Sequence, residues 1–203
     1  MVIKQIIFDM GGVLLKGRLE DILDGVSSKL GIDKSVFKGL ESHYKAKALT
    51  GEMKHAKYLQ MLKDKTGLEQ SIEDLLHIWK ETYLKLLPKN EELLNKIKEL
   101  KKTCPVGLIS NINEFHASIN YERNLFEPFE PCLLSCEVGI AKPDKRIFEL
   151  ALKKIGLPAN ECLYIDDRIE HLRTAKQLGF KTIQFTETKK AIKEIEQLIR
   201  TQV

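Results

Sequence analysis

Five polar residues that could bind or attack a ligand follow short apolar stretches of this 203-residue chain. In chain order they are Asp9, Ser110, Asn111, Asp166 and Asp167. The stretches before them, residues 2–8, 106–109 and 162–165, contain β-branched and aromatic side chains and are typical of buried strands. Because ligands of open α/β sheets bind at the carboxyl ends of the strands, we expect these polar groups to meet at one edge of a sheet.

Three carboxylates at one edge of a sheet would repel one another unless a cation lay among them. Mg²⁺ favours such hard oxygen ligands and commonly shares a substrate phosphate with them. Ser110 offers a hydroxyl group, and the helix start that follows it offers backbone N–H groups to an anion. Lys142, in the sequence Ala-Lys-Pro-Asp, could neutralise a carboxylate and a phosphate together. These residues predict a site for Mg²⁺ and a phosphate, with a spare carboxylate able to attack phosphorus.

Each of these residues also has an ordinary structural interpretation. A single aspartate after a strand is usually a turn or helix-cap residue, and Ser-Asn at the same place is a common cap. A lone lysine in a lysine-rich chain is usually solvated. The functional interpretation is favoured because the polar groups occur in order after successive strands of one chain.

Strands and helices are distributed unevenly along the sequence. From residue 18 to residue 87 almost every window has the 3.6-residue periodicity of an amphipathic helix, and Pro88 closes this stretch. Elsewhere strands alternate with helices, which indicates a parallel sheet covered on both faces. The predicted fold is α/β, with a Rossmann-like parallel sheet core of residues 1–16 and 88–203. An all-helical domain of residues 17–87 is inserted after the first strand.

The composition argues against several classes of protein. The chain has 33 Lys and Arg against 29 Asp and Glu, a net charge of +4, and the charges are interspersed, so no nucleic-acid-binding arm is expected. No apolar run approaches the ~20 residues of a membrane helix, and the start resembles a strand more than a secretion signal, so we expect a cytoplasmic protein without a membrane partner. The four cysteines form no Cys-x-x-Cys pair and are expected to be buried, reduced thiols.

Four segments of the chain match the motifs of a known family. They are Ile-Ile-Phe-Asp-Met-Gly-Gly-Val-Leu, Leu-Ile-Ser-Asn, Ala-Lys-Pro-Asp and Cys-Leu-Tyr-Ile-Asp-Asp, in this order, with a long gap after the first. Together they resemble the haloacid dehalogenase-like (HAD) hydrolase superfamily, in the branch with a helical cap inserted after the first strand. The resemblance covers essentially the whole predicted core.

The resemblance implies a role for each matched residue. Asp9 would be the aspartyl nucleophile, Ser110 would hold the transferred phosphoryl group, and Lys142 would complete the catalytic set. The implied phosphate-binding groups are Gly11, Gly12, Ser110, Asn111 and Lys142. The implied Mg²⁺-binding groups are Asp9, the backbone carbonyl of Gly11, Asp167 as a direct ligand, and Asp166 as a ligand or as a support for one.

Gly11 departs from the phosphatases of this family. They usually carry a second aspartate two residues after the nucleophile, and this aspartate protonates the leaving oxygen. Gly11 has no side chain that could donate a proton. The tyrosine that the family's dehalogenases place there is also missing. Losing a general acid typically costs about 10²–10⁴-fold in rate.

Three functions remain open at this point. The first is a Mg²⁺-dependent phosphatase that forms an aspartyl-phosphate and acts on a small phosphorylated substrate, best on acyl or aryl phosphates, whose leaving groups need little protonation. The second is a weak or inactive module that binds a phosphorylated ligand, and the third is a haloacid dehalogenase. We favour the first, because Asp9, Lys142 and Asp167 are all present.

The five histidines are candidates for the missing acid or for a supporting role. His43, His55 and His77 lie in the helical insert, where a helix-surface position is the ordinary interpretation. His116 and His171 lie nearer to the predicted site. His171 is expected one turn into the helix after the last aspartate pair, facing the same way as Asp167 and supporting the site.

Overall fold

The structure is a computed structural model that describes residues 2–17 and 19–200. Met1, Arg18 and residues 201–203 lie outside the described residues. The side chains that also lie outside are those of Leu19, Lys38, Glu41, Ser42, His43 and Arg200. The possible acid role of His43 therefore falls outside the described part of the chain.

A sheet of five parallel strands forms the core, as the alternation of strands and helices predicts. The strands are β1 Gln5–Phe8, β2 Val106–Ser110, β3 Cys132–Leu134, β4 Cys162–Asp166 and β5 Lys181–Gln184. Their order across the sheet is β3-β2-β1-β4-β5, so the chain builds outward from β1 on one side and then on the other. The predicted α/β class is confirmed.

Ten α-helices surround the sheet in the described residues. They are α1 Leu19–Leu30, α2 Lys34–Leu49, α3 His55–Thr66, α4 Ile72–Leu86, α5 Glu91–Leu100, α6 Glu114–Glu122, α7 Ser135–Val138, α8 Lys145–Ile155, α9 Ile169–Gln177 and α10 Thr188–Arg200. The first four follow one another between β1 and α5 without a described strand, and are called the four-helix segment below. None of the described helices combines the length and the hydropathy that crossing a membrane needs.

Both faces of the sheet are buried. Alternate residues of β1 illustrate this, because Ile6 and Phe8 pack in the core cluster that includes α5 and α10, whereas Ile7 packs with α8 and α9 on the other face. All four residues of β1 are buried, as expected for a central strand of a parallel sheet. A strand that is buried on both faces in this way leaves chemistry to the residues that follow its carboxyl end.

The four-helix segment packs against α6 through a buried polar and aromatic cluster. Trp79 on α4 is 2% exposed, and its Nε1 donates to Nε2 of His116 on α6 at 2.9 Å. The backbone N–H of His55 donates to Glu114 Oε1 at 2.6 Å, and the His55 ring stacks on Phe115 with ring centroids 4.9 Å apart. These contacts anchor the four-helix segment to the core at α6.

Burial contradicts two expectations for individual side chains. His55 is only 1% exposed, so the expected helix-surface position is wrong for it, because its ring is enclosed between Phe115 and Trp79. His77, in contrast, is exposed on α4. Among the cysteines, all of them free, Cys104 and Cys162 are buried as expected, but Cys132 and Cys136 are only half-buried.

The buried histidines should make stability fall in mildly acidic solution. Burial lowers the pKa of His116 to about 3, and burial together with the neighbouring His116 lowers the pKa of His55 well below its usual range. Both rings stay neutral in the folded protein, while in the unfolded chain they take up protons near pH 6.5. Each should therefore remove about 1.3 kcal/mol from the unfolding free energy between pH 7.0 and pH 5.5.

Urea unfolding at these two pH values checks this expectation by comparing variants. The amide oxygen of His116→Gln can still accept the Trp79 N–H but does not titrate, so this variant should lose about 1.3 kcal/mol less than wild type between the two pH values. His77→Gln, at an exposed position, is the matched control and should lose as much as wild type. Equal pH dependence in all three proteins would contradict the burial argument.

Candidate active site

The predicted polar residues meet at the carboxyl edge of the sheet, on either side of the point where the strand order reverses. Asp9 directly follows β1, and Asp166 and Asp167 lie at the end of the neighbouring β4. The backbone N–H of Asp9 donates to Ile165 O at 2.8 Å, which holds β1 and β4 in register up to this point. The three aspartates have carboxylate oxygens within 4.8 Å of one another. A reversal point of this kind is where open α/β sheets bind ligands.

Lys142 is completely buried between two of these carboxylates. Its Nζ lies 2.5 Å from Asp9 Oδ1 and 2.8 Å from Asp166 Oδ2, and it also contacts the Tyr164 hydroxyl and Ile109 O, each at 2.9 Å. The Lys142 side chain has no solvent exposure. The interpretation of Lys142 as a solvated surface lysine is thus wrong, and its positive charge lies at the carboxyl edge of the sheet.

Asn111 holds the backbone of Lys142 in place. Its Nδ2 donates to Lys142 O at 2.7 Å, and its Oδ1 accepts from the Lys142 backbone N–H at 2.8 Å. Both ends of the amide are therefore in use. The Asn111 side chain thus fixes the loop that carries the lysine, and the phosphate-binding role expected for this residue stays a prediction.

Asp166 is saturated with hydrogen-bond donors. Its Oδ2 accepts from Lys142, from the Tyr164 hydroxyl and from His171, whose Nδ1 lies 2.9 Å away, while Oδ1 accepts from the backbone N–H of Arg168 at 2.8 Å. His171 therefore supports Asp166 and not Asp167, which corrects the expected orientation. Sequence reasoning missed Tyr164, although its spacing of two residues from Asp166 on a strand places both side chains on one face.

The three aspartates have different electrostatic surroundings. Desolvation raises the pKa of Asp9 to about 6, with Lys142 acting in the opposite direction and Asp166 adding to the rise. Burial also works against ionisation of Asp166, but the charge of Lys142 and the His171 hydrogen bond bring the pKa of Asp166 well below its usual range. Burial and the neighbouring Asp166 charge raise the pKa of Asp167. The Asp9 and Asp166 carboxylates outweigh desolvation and raise the pKa of Lys142.

Two buried oxygens at this edge have no hydrogen-bond partner among the described residues. They are Asp167 Oδ1 and Ser110 Oγ, and Ser110 is only 1% exposed. Leaving a buried polar atom unpaired costs roughly 1–3 kcal/mol, so such atoms at a binding cleft indicate partners that bind there. Both oxygens are available to a ligand.

The two glycines after Asp9 differ in their surroundings. Gly12 has φ +76°, and a Cβ added there would lie 2.7 Å from Asp167 Oδ2, so only glycine allows Asp167 to approach this closely. Gly11 is exposed, and a Cβ added there would meet nothing within 4 Å. The position of the missing acid is therefore open space.

The family to which the chain belongs follows from its sequence. A sequence profile described as "haloacid dehalogenase-like hydrolase" matches residues 3–179, which include every strand except β5 and all the residues placed at the carboxyl edge. The chain belongs to the haloacid dehalogenase-like hydrolase family. It is therefore a HAD-like hydrolase, as the four motifs imply.

Known HAD proteins resemble the chain over most of its length. A D-ribitol-5-phosphate phosphatase from Bacteroides thetaiotaomicron is 27% identical over 196 residues, which cover 90% of this chain and 92% of that protein. The structure of a predicted HAD-like family hydrolase from Porphyromonas gingivalis matches with a TM-score of 0.81 and 22% identity, covering 98% of this chain and 99% of that one. A HAD family enzyme from B. thetaiotaomicron in complex with magnesium and inorganic phosphate matches with a TM-score of 0.75 and 22% identity, covering 91% and 94%.

Other curated relatives are much longer than this chain. Two of them, from Mus musculus and Sus scrofa, are 39% and 36% identical over 71 and 75 residues, and the chain matches only 7% and 14% of their lengths. These partial matches therefore concern a shared segment alone.

Proposed function

We propose that this HAD-like hydrolase is a Mg²⁺-dependent phosphatase that works through an aspartyl-phosphate on a small phosphorylated substrate. The observation that carries the proposal is the buried Asp9–Lys142–Asp166 arrangement beside two unpaired buried oxygens, Asp167 Oδ1 and Ser110 Oγ. A nucleophilic carboxylate, a fixed cation and free oxygens that can face a cation and a phosphate are the groups that phosphoryl transfer needs. The likeness to a sugar-alcohol phosphate phosphatase over 92% of its length supports the same reaction class.

The residues present fit a magnesium ion. Asp9, Asp166 and Asp167 bring three carboxylates together against the single buried ammonium of Lys142, and Asp167 Oδ1 has no partner among the described residues. Oxygen donors of this kind suit Mg²⁺, which usually takes one or two carboxylates. Asp9, Asp167 and the Gly11 carbonyl would hold the ion, because both oxygens of Asp166 already accept hydrogen bonds. Bound there, Mg²⁺ would neutralise and orient the phosphoryl oxygens.

In the proposed reaction Asp9 attacks the phosphorus atom of the substrate, and the bond between phosphorus and the leaving-group oxygen breaks to release the organic group. Its Oδ1 accepts the Lys142 hydrogen bond, which leaves Oδ2 for the attack. Lys142 is fixed by Asp166, Tyr164 and Asn111, so its charge stays in place while negative charge moves from Asp9 toward the leaving-group oxygen. The Ser110 hydroxyl and the Asn111 backbone N–H bind the phosphoryl oxygens, while the next backbone N–H, of Ile112, donates to Ser135 Oγ. A water molecule then hydrolyses the aspartyl-phosphate and regenerates Asp9.

Gly11 limits which leaving groups the site can expel. Gly11 lies two residues after Asp9 and has no side-chain acid that could donate a proton. A Cβ added at Gly11 would meet nothing within 4 Å, so the space there is open. Acyl and aryl phosphates release a carboxylate or a phenolate, which are weak bases and need little protonation, whereas alkoxides leave poorly without an acid. We therefore propose that acyl or aryl phosphates are better substrates than simple alkyl phosphates.

A substrate panel tests the proposed function. Acetyl phosphate, an aryl phosphate, alkyl phosphates and a haloacid are each incubated with and without Mg²⁺, and phosphate or halide is measured. We expect phosphate release that needs Mg²⁺ and is fastest on acetyl and aryl phosphates. Halide release without Mg²⁺ would favour the dehalogenase alternative, and activity on none of the compounds would favour a binding module.

Replacing Gly12 with alanine should weaken magnesium binding. The new Cβ would meet the Asp167 carboxylate at 2.7 Å and the residue would keep a φ of +76°, so Asp167 must move and the fold must bear backbone strain. We expect a loss of about 1–2 kcal/mol in unfolding free energy and roughly tenfold weaker Mg²⁺ binding by titration calorimetry.

Gly31→Ala is the matched control for this substitution. Gly31 has φ +65° at the end of α1, and a Cβ there would meet nothing within 4 Å. It should cost a similar amount of stability and leave Mg²⁺ affinity unchanged. Equal Mg²⁺ affinity in both variants would remove Asp167 from the proposed metal ligands.

A further inference from the structure

The Lys142 ammonium group has more acceptors around it than protons to donate. Four acceptors lie within hydrogen-bond distance of its Nζ: Asp9 Oδ1 at 2.5 Å, Asp166 Oδ2 at 2.8 Å, and the Tyr164 hydroxyl and Ile109 O, each at 2.9 Å. An ammonium group carries only three N–H donors. In this arrangement Lys142 therefore has no N–H to spare for a phosphoryl oxygen, although its charge lies beside the carboxylate that would attack phosphorus.

Asp166 Oδ2 has more donors around it than lone pairs. It accepts from Lys142, from the Tyr164 hydroxyl and from His171 Nδ1 at 2.9 Å, whereas a carboxylate oxygen has about two lone-pair sites. The His171 nitrogen must carry the proton of this bond, because the ionised Asp166 carboxylate has none to donate. Lys142 can therefore turn away from Asp166 and leave Oδ2 paired with the two other donors.

Tyr164 is held where its hydroxyl can replace Lys142 at Asp166. The residue is completely buried on β4, and Phe148 of α8 packs edge-on against its ring with the ring centroids 5.2 Å apart. The Tyr164 hydroxyl accepts from Lys142 and donates to Asp166, so it already contacts both groups. A change of partners by Lys142 therefore needs no movement of the tyrosine ring.

We infer that Tyr164 is a positioning residue that frees one N–H of Lys142 for a phosphoryl oxygen. When the phosphoryl group binds, Lys142 turns this N–H away from Asp166 and the Tyr164 hydroxyl and keeps its two other acceptors. Asp166 Oδ2 stays paired with Tyr164 and His171, and no covalent bond changes in the exchange. The inference rests on the proposed function, because it concerns how the same site binds the phosphoryl group.

Without the Tyr164 hydroxyl, Lys142 would have to stay on Asp166. Three acceptors would then face the three N–H donors, so each proton of Lys142 would have an acceptor of its own. Turning one N–H to a phosphoryl oxygen would leave Asp166 Oδ2 with His171 alone, and a buried carboxylate with fewer donors is less stable. Tyr164→Phe should therefore weaken phosphate binding, while the proposed metal ligands Asp9 and Asp167 stay intact.

Titration calorimetry of the full-length protein tests this role without catalysis. Binding of Mg²⁺ is measured first, and binding of inorganic phosphate is then measured at saturating Mg²⁺. For Tyr164→Phe we expect about tenfold weaker phosphate binding and a Mg²⁺ affinity within about twofold of wild type. Tyr83→Phe is the matched control, because it also removes a buried hydroxyl, one that accepts from Asn120 at 2.6 Å, and both affinities should stay unchanged. Unchanged phosphate affinity in Tyr164→Phe, or an equal loss of phosphate and Mg²⁺ affinity, would overturn the inference.

His171 provides a second pair of variants, which keeps the test decisive if Tyr164→Phe does not fold. Asparagine places Nδ2 as many bonds from the backbone as His171 Nδ1, so His171→Asn keeps a donor to Asp166, whereas His171→Leu loses it. We expect His171→Leu to bind phosphate about tenfold more weakly than His171→Asn, with equal Mg²⁺ affinity in the two variants. Equal phosphate affinity would contradict the inference, because Lys142 would then leave Asp166 without help from other donors.

Turnover separates this inference from the proposed function. Phosphate release from acetyl phosphate is measured for wild type, Tyr164→Phe and Tyr83→Phe. Phosphate binding that depends on Tyr164, without any phosphate release, would reject the phosphatase and keep the positioning role. Phosphate release with the same kcat/KM and the same phosphate affinity in both variants would reject the positioning role and keep the phosphatase. A wild-type protein that neither binds nor releases phosphate would reject both.

Discussion

Replacing Asp9 with asparagine is expected to lower kcat on acetyl phosphate by at least about 10⁴-fold. Asparagine keeps the shape of the side chain, but its amide cannot form the aspartyl-phosphate. No neighbour is expected to take over, because Asp166 is held by four hydrogen bonds and Asp167 is assigned to the proposed metal ion. Phosphate release from acetyl phosphate at saturating Mg²⁺ measures the loss.

The same substitution should leave the fold at least as stable as wild type. Desolvation raises the pKa of Asp9 to about 6, which means that the ionised carboxylate is less favourable in the folded protein than in the unfolded chain. Asparagine removes that charge, and Lys142 keeps its contacts with Asp166, Tyr164 and Ile109 O. A thermal melt of Asp9→Asn should therefore give a Tm equal to or above that of wild type.

Asp33→Asn is the control for the change of residue type. Asp33 caps the N-terminus of α2, where asparagine caps about as well, and it is remote in sequence from every proposed catalytic residue. It should retain full activity. Phosphate release by Asp9→Asn at a rate near that of wild type would exclude Asp9 as the nucleophile.

The carboxyl edge of the sheet could be predicted from the sequence because two simple regularities meet there. Short apolar stretches with helices between them require a parallel sheet, and the strand ends of a parallel sheet lie together. Asp9 and Asp166 follow such stretches, so their proximity follows from the order of elements without any knowledge of side-chain packing. That Gly11 stands where a general acid is usual could likewise be recognised from the sequence alone.

The partners of these residues could not be predicted, because they depend on rotamers and on contacts across long sequence separations. His171 lies close in sequence to both Asp166 and Asp167, and only the backbone path between β4 and α9 decides that it bonds to Asp166. Lys142 is 133 residues from Asp9, and its burial depends on the Asn111 amide that pins its loop. A polar helical histidine such as His55 carries no sequence signal for burial, since α6 and α4 enclose it only after folding.

Replacing Gly11 with aspartate is expected to supply the acid that the site lacks. The backbone of Gly11 has no positive φ, and a Cβ there meets nothing within 4 Å, so the side chain should be accommodated with little change in Tm. A carboxyl group two residues after the nucleophile could protonate an alkoxide leaving group. Phosphate release from alkyl phosphates should rise by about 10²-fold or more, while acetyl phosphate, which needs little protonation, should change by less than about tenfold.

Gly11→Asn separates proton transfer from shape. It adds nearly the same volume as aspartate but no acid, so alkyl phosphate turnover should stay at the wild-type level. The added carboxylate of Gly11→Asp also faces the three aspartates, so rates are compared at saturating Mg²⁺ to keep metal binding from limiting them. If aspartate and asparagine raise alkyl phosphate turnover equally, or if aspartate accelerates acetyl phosphate just as much, then the missing proton donor does not limit this enzyme. The preference for leaving groups would then have to come from the four-helix segment.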